Sequence, residues 1–171
     1  MTIENATLAD MDGIFRLYGK ASDYQRSKKS VVVWPEFDRD LVCQEIIENR
    51  QFQLIINNEV ACVWAITFSD EEIWAERNVD AAVYIHRIAT HPNFRGHNFV
   101  AKIVDWAKGY AQKNQKRFIR LDTIGNNPGL IKHYTHAGFD FLGLYHLKNV
   151  ETLPSHYKEG PACLFQIDLG K

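Results

Sequence analysis

Two stretches of this sequence hold residues whose types and order could do chemistry. The first is His86-Arg87-Ile88-Ala89-Thr90-His91-Pro92-Asn93-Phe94-Arg95-Gly96-His97-Asn98-Phe99-Val100, in which an apolar β-run stops at His91-Pro92, passes through a short Arg-Gly loop and enters an amphipathic helix. A strand that runs through such a loop into a helix N-terminus forms an anion site, because the first N–H groups of the helix have no intrahelical acceptor. The second is Asn127-Pro128-Gly129-Leu130-Ile131-Lys132-His133-Tyr134-Thr135-His136-Ala137-Gly138-Phe139, a short capped helix that carries a phenol, Tyr134, with an ordinary pKa of about 10. Within the strand, Tyr84, His86 and Ile88 share one face, and Ile85, Arg87 and Ala89 share the other. His86 is the base candidate there because imidazole titrates near neutrality; a hydrogen-bonded, half-buried histidine is the plain alternative. No acid lies between Ala81 and Thr90; Glu71 and Glu72 could serve in its place, or form a solvated loop. His133 and His136 make a His-x-x-His pair, but no third ligand lies at a telling distance, and no metal is expected.

Hydrophobic period and turn chemistry outline the scaffold around these residues. Thr7-Leu8-Ala9-Asp10 reads as a capping box, after which Met11, Ile14, Phe15 and Tyr18 recur on one helical face. The period is lost over 22–35, and a second helix is predicted over 36–49 with Phe37, Leu41, Val42 and Ile46 inward. Residues 52–56 and 60–68 are β-rich runs joined by Asn57-Asn58-Glu59, a hairpin signal. A charged connection over 69–80 carries Ile73 and Trp74, and a strand then ends at Thr90. A helix over 99–113 puts Val100, Ile103, Val104, Ala107 and Ala111 on one face. A strand over 117–123 leads to Asn127 as N-cap, Pro128 at the first helical position and Gly138 as the stop. Strands over 139–147 and 162–169 complete the order β-α-α-β-β-β-α-β-α-β-β, which predicts an α/β or α+β domain: a mixed, mostly antiparallel central sheet with helices on both faces.

Composition sets the outer limits. The 171 residues are expected to form a single domain, and no repeat, low-complexity tract or linker suggests a second. The formal net charge of -1, with scattered lysines and arginines, gives no electrostatic footprint for nucleic acid. No apolar run reaches the roughly 18–20 residues of a membrane span, and the N-terminus lacks the pattern of a signal peptide. Cys43, Cys62 and Cys163 are odd in number and lie in apolar contexts, which suits free thiols and a cytoplasmic location.

The two stretches, in this order and spacing, resemble the acyl-CoA-binding half of the GCN5-related N-acetyltransferase (GNAT) superfamily over about 82–139. The resemblance implies acetyl-CoA as acyl donor and a small-molecule or peptide amine as acceptor; homodimers are common in that family. It implies that the main chain of Ile88, Ala89 and Thr90 pairs with pantetheine, that Arg95, Gly96, His97, Asn98, Phe99 and Val100 cradle the pyrophosphate, and that Asn127 binds the CoA arm. It also implies that Tyr134 protonates the departing thiolate and that the N-terminal region, with Tyr24 and Trp34, shapes the acceptor pocket. The chain departs from the family pattern where Asn98 and Val100 replace two small residues. Asn tolerates positive φ and could keep the loop shape; the branched Val100 would narrow the site or face the core. With the missing strand acid, these departures motivate a second reading, a GNAT-fold protein that binds CoA or another small ligand without catalysis.

Overall fold

A computed structural model describes residues 1–30 and 32–170. Thr7 and Asp10 close the predicted capping box, with Thr7 N–H and Oγ1 each donating to Asp10 Oδ2 at 2.8 Å. A 3-10 turn leads from there into α1 (Met11–Ser27), which buries Ile14, Leu17, Tyr18 and Ser22. The helix runs past the point where the apolar period fades because Ser22, though polar, lies on the core face. Its hydroxyl bonds to the carbonyls of Tyr18 and Trp34 at 3.1 and 3.2 Å.

Helix α2 (Arg39–Ile47) is shorter than predicted, since Asp38 caps it by accepting from Asp40 N–H at 2.9 Å. Its buried stripe is Val42, Glu45 and Ile46, whereas Leu41, expected inward, is 43% exposed. A carboxylate at an inward position hid the true face. Strands β1 (Thr2–Asn5), β2 (Gln51–Ile56) and β3 (Glu59–Thr67) pair antiparallel in succession. Asn57 and Asn58 turn the β2–β3 hairpin at φ 50 and 62, as a tight hairpin turn requires. The core here gathers Ala6, Ile14, Leu17, Tyr18, Phe37, Val42, Ile46, Val63 and Ala89, with Met11, Phe15 and Trp34 against it.

Strand β4 (Ala82–Thr90) pairs parallel with β5 (Phe118–Ile124) through Ala82–Tyr84. Strand β7 (Ala162–Asp168) pairs antiparallel with β5 on one side and with β6 (Asp140–Tyr145) on the other. The strand order β1-β2-β3-β4-β5-β7-β6 and the mostly antiparallel pairing are those of a mixed α/β fold. The predicted helix over 99–113 is present as α4 (Phe99–Lys113), following the short α3 (Glu71–Trp74), with Val100, Ile103, Val104, Ala107 and Ala111 buried. Helix α5 (Pro128–His136) is capped by Asn127 and followed by Gly138 at φ +100.

The charged connection before β4 is folded rather than open, with a short helix α3 (Glu71–Trp74) and a 3-10 turn (Ala75–Val79). Its anchor is Arg120 of β5, only 1% exposed, which bonds to Gln166 Oε1, the Arg77 carbonyl and Tyr84 Oη and pairs with Asp80. The guanidinium also lies 4.7 Å from the ring centre of Trp74. Contacts divide the chain into two compact units, Met1–Ile66 with His86–His97 and Thr67–Ile85 with Asn98–Lys171. No helix among the described residues is long and apolar enough to cross a membrane.

Candidate functional site

The loop after β4 is built by short-range rules. His91 caps a 3-10 turn (Pro92–Phe94), its Nδ1 accepting from Asn93 N–H at 3.3 Å. Gly96 then takes φ +85, where a side chain would meet no neighbouring atom within 4 Å; backbone conformation rather than space calls for glycine. His97 Nδ1 lies 2.9 Å from the Phe94 carbonyl, which ties the loop across its base. Asn98 comes next in the left-handed region, at φ 50 and ψ 49, and hands the chain into α4. Asn tolerates positive φ better than most residues, which suits it to this turn. Val100 is 7% exposed and Phe99 4% exposed, so both side chains belong to the packed face of α4 and only their backbone could meet a ligand.

Arg95 is exposed, and its guanidinium carbon lies 3.9 Å from the ring centre of Tyr24. Beside it Lys20 Nζ is 3.0 Å from His91 Nε2. A shallow cavity of about 290 Å³ opens there, lined by Lys20, Asp23, Tyr24, Ser27, Pro92 and Arg95. Upstream in β4, Ala89 is 1% exposed and packs into the core, while His86, Ile88 and Thr90 are half-buried. Thr90 Oγ1 lies 3.6 Å from Cys62 Sγ, a thiol that burial pushes up to about 12. Cys62 is thereby kept neutral and inert.

Asn127 Oδ1 accepts from Leu130 N–H at 3.2 Å, so one end of the amide caps α5. Tyr134 is half-buried on α5, with ring centres of Phe165 and Phe139 at 5.2 and 6.1 Å. Two aromatic neighbours fix the ring on the last turns of the helix. On the adjoining strand Asp122 Oδ2 accepts from Tyr157 Oη at 2.9 Å. His86, Ile88, Ala89, Thr90, Arg95, Gly96 and His97 thus fall in the first unit; Asn98, Phe99, Val100, Asn127 and Tyr134 fall in the second.

One feature of β4 has no signature in residue spacing. Arg87 stands at φ +51 in mid-strand and is paired with Glu45, the arginine largely and the glutamate fully withdrawn from solvent. The available signal was the one arginine in a mostly apolar strand, since a buried charge needs a partner. The partner lies 42 residues away and cannot be found by spacing.

Comparison with known proteins agrees with this architecture. An N-acetyltransferase of Bacillus subtilis named YesJ is 29% identical over 82 residues, 46% of each chain. The N-acetyltransferase MJ1207 of Methanocaldococcus jannaschii is 27% identical over 150 residues, 81% of this chain and 60% of that protein. The match therefore spans about half the length of these curated relatives. Among solved structures, a GNAT-family acetyltransferase from Listeria monocytogenes superposes with a TM-score of 0.79 at 23% identity, covering 98% of this chain and 94% of that one. The YncA protein of Salmonella typhimurium, solved with its cofactor acetyl-CoA, superposes with a TM-score of 0.69 at 15% identity, covering 98% and 93%. A sequence model of the acetyltransferase (GNAT) family matches residues 15–139, which takes in most of α1, the loop after β4 and Tyr134, and the chain belongs to that family.

Proposed function

We propose that this protein is an acyl-CoA-dependent N-acyltransferase, one domain in function, that moves an acetyl group from acetyl-CoA to an amine of a small molecule or peptide. The observation that carries the reading is the loop after β4: Gly96 and Asn98, at φ +85 and φ 50, lead the chain into the N-terminus of α4. Left-handed turns that feed a helix start direct successive N–H groups to one side and suit a pyrophosphate. The left-handed backbone of Asn98 and the burial of Val100 support this role for the loop over that of an inactive binding protein.

The chemistry requires two proton movements. The acceptor nitrogen attacks the thioester carbonyl carbon, and collapse of the tetrahedral adduct breaks the C–S bond. His86 takes the proton that leaves the amine, and Tyr134 gives its phenolic proton to the departing thiolate. Arg95 and the first amides of α4 hold the pyrophosphate; the main chain of Ile88, Ala89 and Thr90 guides the pantetheine arm, and Asn127 binds the CoA arm. The relatives YesJ and MJ1207, named as N-acetyltransferases, support the reaction class, and the acetyl-CoA held by YncA supports the donor. The free state of Cys43, Cys62 and Cys163 supports a reducing, cytoplasmic setting.

The test is Tyr134→Phe, assayed for CoA release against a panel of primary amines and, in parallel, for acetyl-CoA binding. Loss of a general acid lowers kcat by about 100-fold to 10,000-fold, while acetyl-CoA affinity stays within about threefold, because the lost hydroxyl acts on the leaving group. An unchanged kcat would remove Tyr134 from the chemistry. Acetyl-CoA binding by the unaltered protein without turnover of any amine would return the reading to a binding protein.

A further inference from the structure

Within the nine residues of β4, Arg87 alone has positive φ, at +51. A residue with a Cβ disfavours this conformation by a factor of about ten or more, and it persists only where the surroundings over-determine it. The Arg87 side chain provides that constraint. Its guanidinium pairs with the Glu45 carboxylate of α2, and the two side chains are 13% and 7% exposed. Arg87 Nε donates to Tyr18 Oη at 3.4 Å, Tyr18 Oη donates to Gln51 Oε1 at 3.2 Å, and Gln51 Nε2 donates to the Trp64 carbonyl at 3.0 Å. Burial pushes the Tyr18 hydroxyl up, so it remains a neutral phenol able to accept and donate at once. Phe37 and Tyr18 cover the guanidinium, with ring centres at 5.4 and 5.9 Å. Glu45 is further held by Arg50 at 3.8 Å. The charge is thus enclosed, neutralised and oriented by elements on three sides.

We infer that Arg87, Glu45 and Tyr18 are positioning residues that lock β4 in its left-handed step, and that this step sets the course of the Ile88–Thr90 main chain on which acyl-donor binding depends. The inference rests on the function proposed above. A left-handed residue in mid-strand interrupts the pleat and re-aims the residues after it. Ala89 has its side chain in the core, so at this residue only the main chain can meet a ligand.

Two substitutions at one position separate positioning from mere support. Arg87→Met removes the clamp but keeps a Cβ, so residue 87 relaxes to the extended region and the competent conformer becomes a minor population. Apparent Kd rises by the inverse of that population, about tenfold. Arg87→Gly removes the same clamp and more packing, yet glycine adopts positive φ about as readily as negative, so Kd rises only about twofold. If the pair served stability alone, the glycine variant would be the worse binder. Acetyl-CoA is titrated calorimetrically into each variant and into the unaltered protein. The intraresidue HN–Hα cross-peak of residue 87, intense at positive φ, is recorded by NMR in all three without ligand. A weak peak and weak binding in Arg87→Met, with both largely kept in Arg87→Gly, is the expected result. Equal affinities for the two variants, or an intense peak in Arg87→Met, would overturn the inference. Should the unaltered protein fail to bind acetyl-CoA, the proposed function falls, and the cross-peak alone still decides whether the clamp sets the backbone.

Discussion

At the scale of the residue, titratable groups show how burial sets chemistry apart from structure. His156 lies in the 3-10 turn (Ser155–Lys158), is 8% exposed, and has its ring centre 4.6 Å from that of Tyr157. Burial lowers its pKa to about 4. In the unfolded chain the ring protonates near the ordinary value of about 6.5, so between these values the unfolded state binds the extra proton. Stability from this residue is therefore whole above about pH 6.5 and drains away as pH falls to about 4, by about 3 kcal/mol in all. Urea unfolding at pH 7.5 and at pH 4.5 should show this loss, and His156→Leu should flatten it. An equal slope in the variant would assign acid sensitivity to other groups. His86 and His156 look alike as letters; half-burial in β4 and near-complete burial in a turn separate them.

At the scale of the element, α4 and its entry loop are where local rules are tested most directly. Asn98 holds φ 50 at the N-cap position, so Asn98→Gly should leave unfolding free energy within a few tenths of a kcal/mol and acetyl-CoA affinity unchanged. Asn98→Ala should cost about 1–2 kcal/mol, because alanine is strained in this region. Val100→Ala, which the sequence pattern alone would present as a return to the family's small residue, should instead cost about 2 kcal/mol by leaving a gap behind α4. Denaturant curves for the three variants check the order; a stabilised Val100→Ala protein would place that side chain outside the packed face. The same contrast of local and distant causes runs through the strands and helices. The hairpin turn at Asn57-Asn58, the end of β4, the limits of α4, and the Asn127-Pro128 start of α5 were legible because each depends on neighbours in sequence. The length of α1, the inward face of α2 and the folded state of 69–80 were not, because Ser22, Glu45 and Arg120 place polar groups at buried positions.

At the scale of the whole molecule, the testable property is linkage between folding and the donor. A ligand bound only by the native state adds RT ln(1 + [L]/Kd), about 2.7 kcal/mol at a hundredfold excess over Kd. For a chain of this size that corresponds to a rise in Tm of roughly 5–10 °C. Thermal unfolding with saturating acetyl-CoA, and with desulfo-CoA as an analogue lacking the thioester, should show the rise in both. No shift with either would mean that the loop at 95–100 does not hold a CoA pyrophosphate. A family match over residues 15–139 and the mostly antiparallel sheet establish lineage and fold; this measurement addresses the ligand.

Consecutive letters were enough to specify the strand–loop–helix run from β4 into α4, the capped helix that carries Tyr134, and the family to which both belong. Helical period, cap residues and tolerance of positive φ are short-range properties, readable without knowing the fold. It took the folded chain to establish that Val100 is core, that Tyr24 stacks on Arg95, and that Arg87 stands in a left-handed step held by Glu45 and Tyr18. Those facts depend on which distant side chains meet in a space where charge cannot remain unpaired, and such meetings have no spacing to be read.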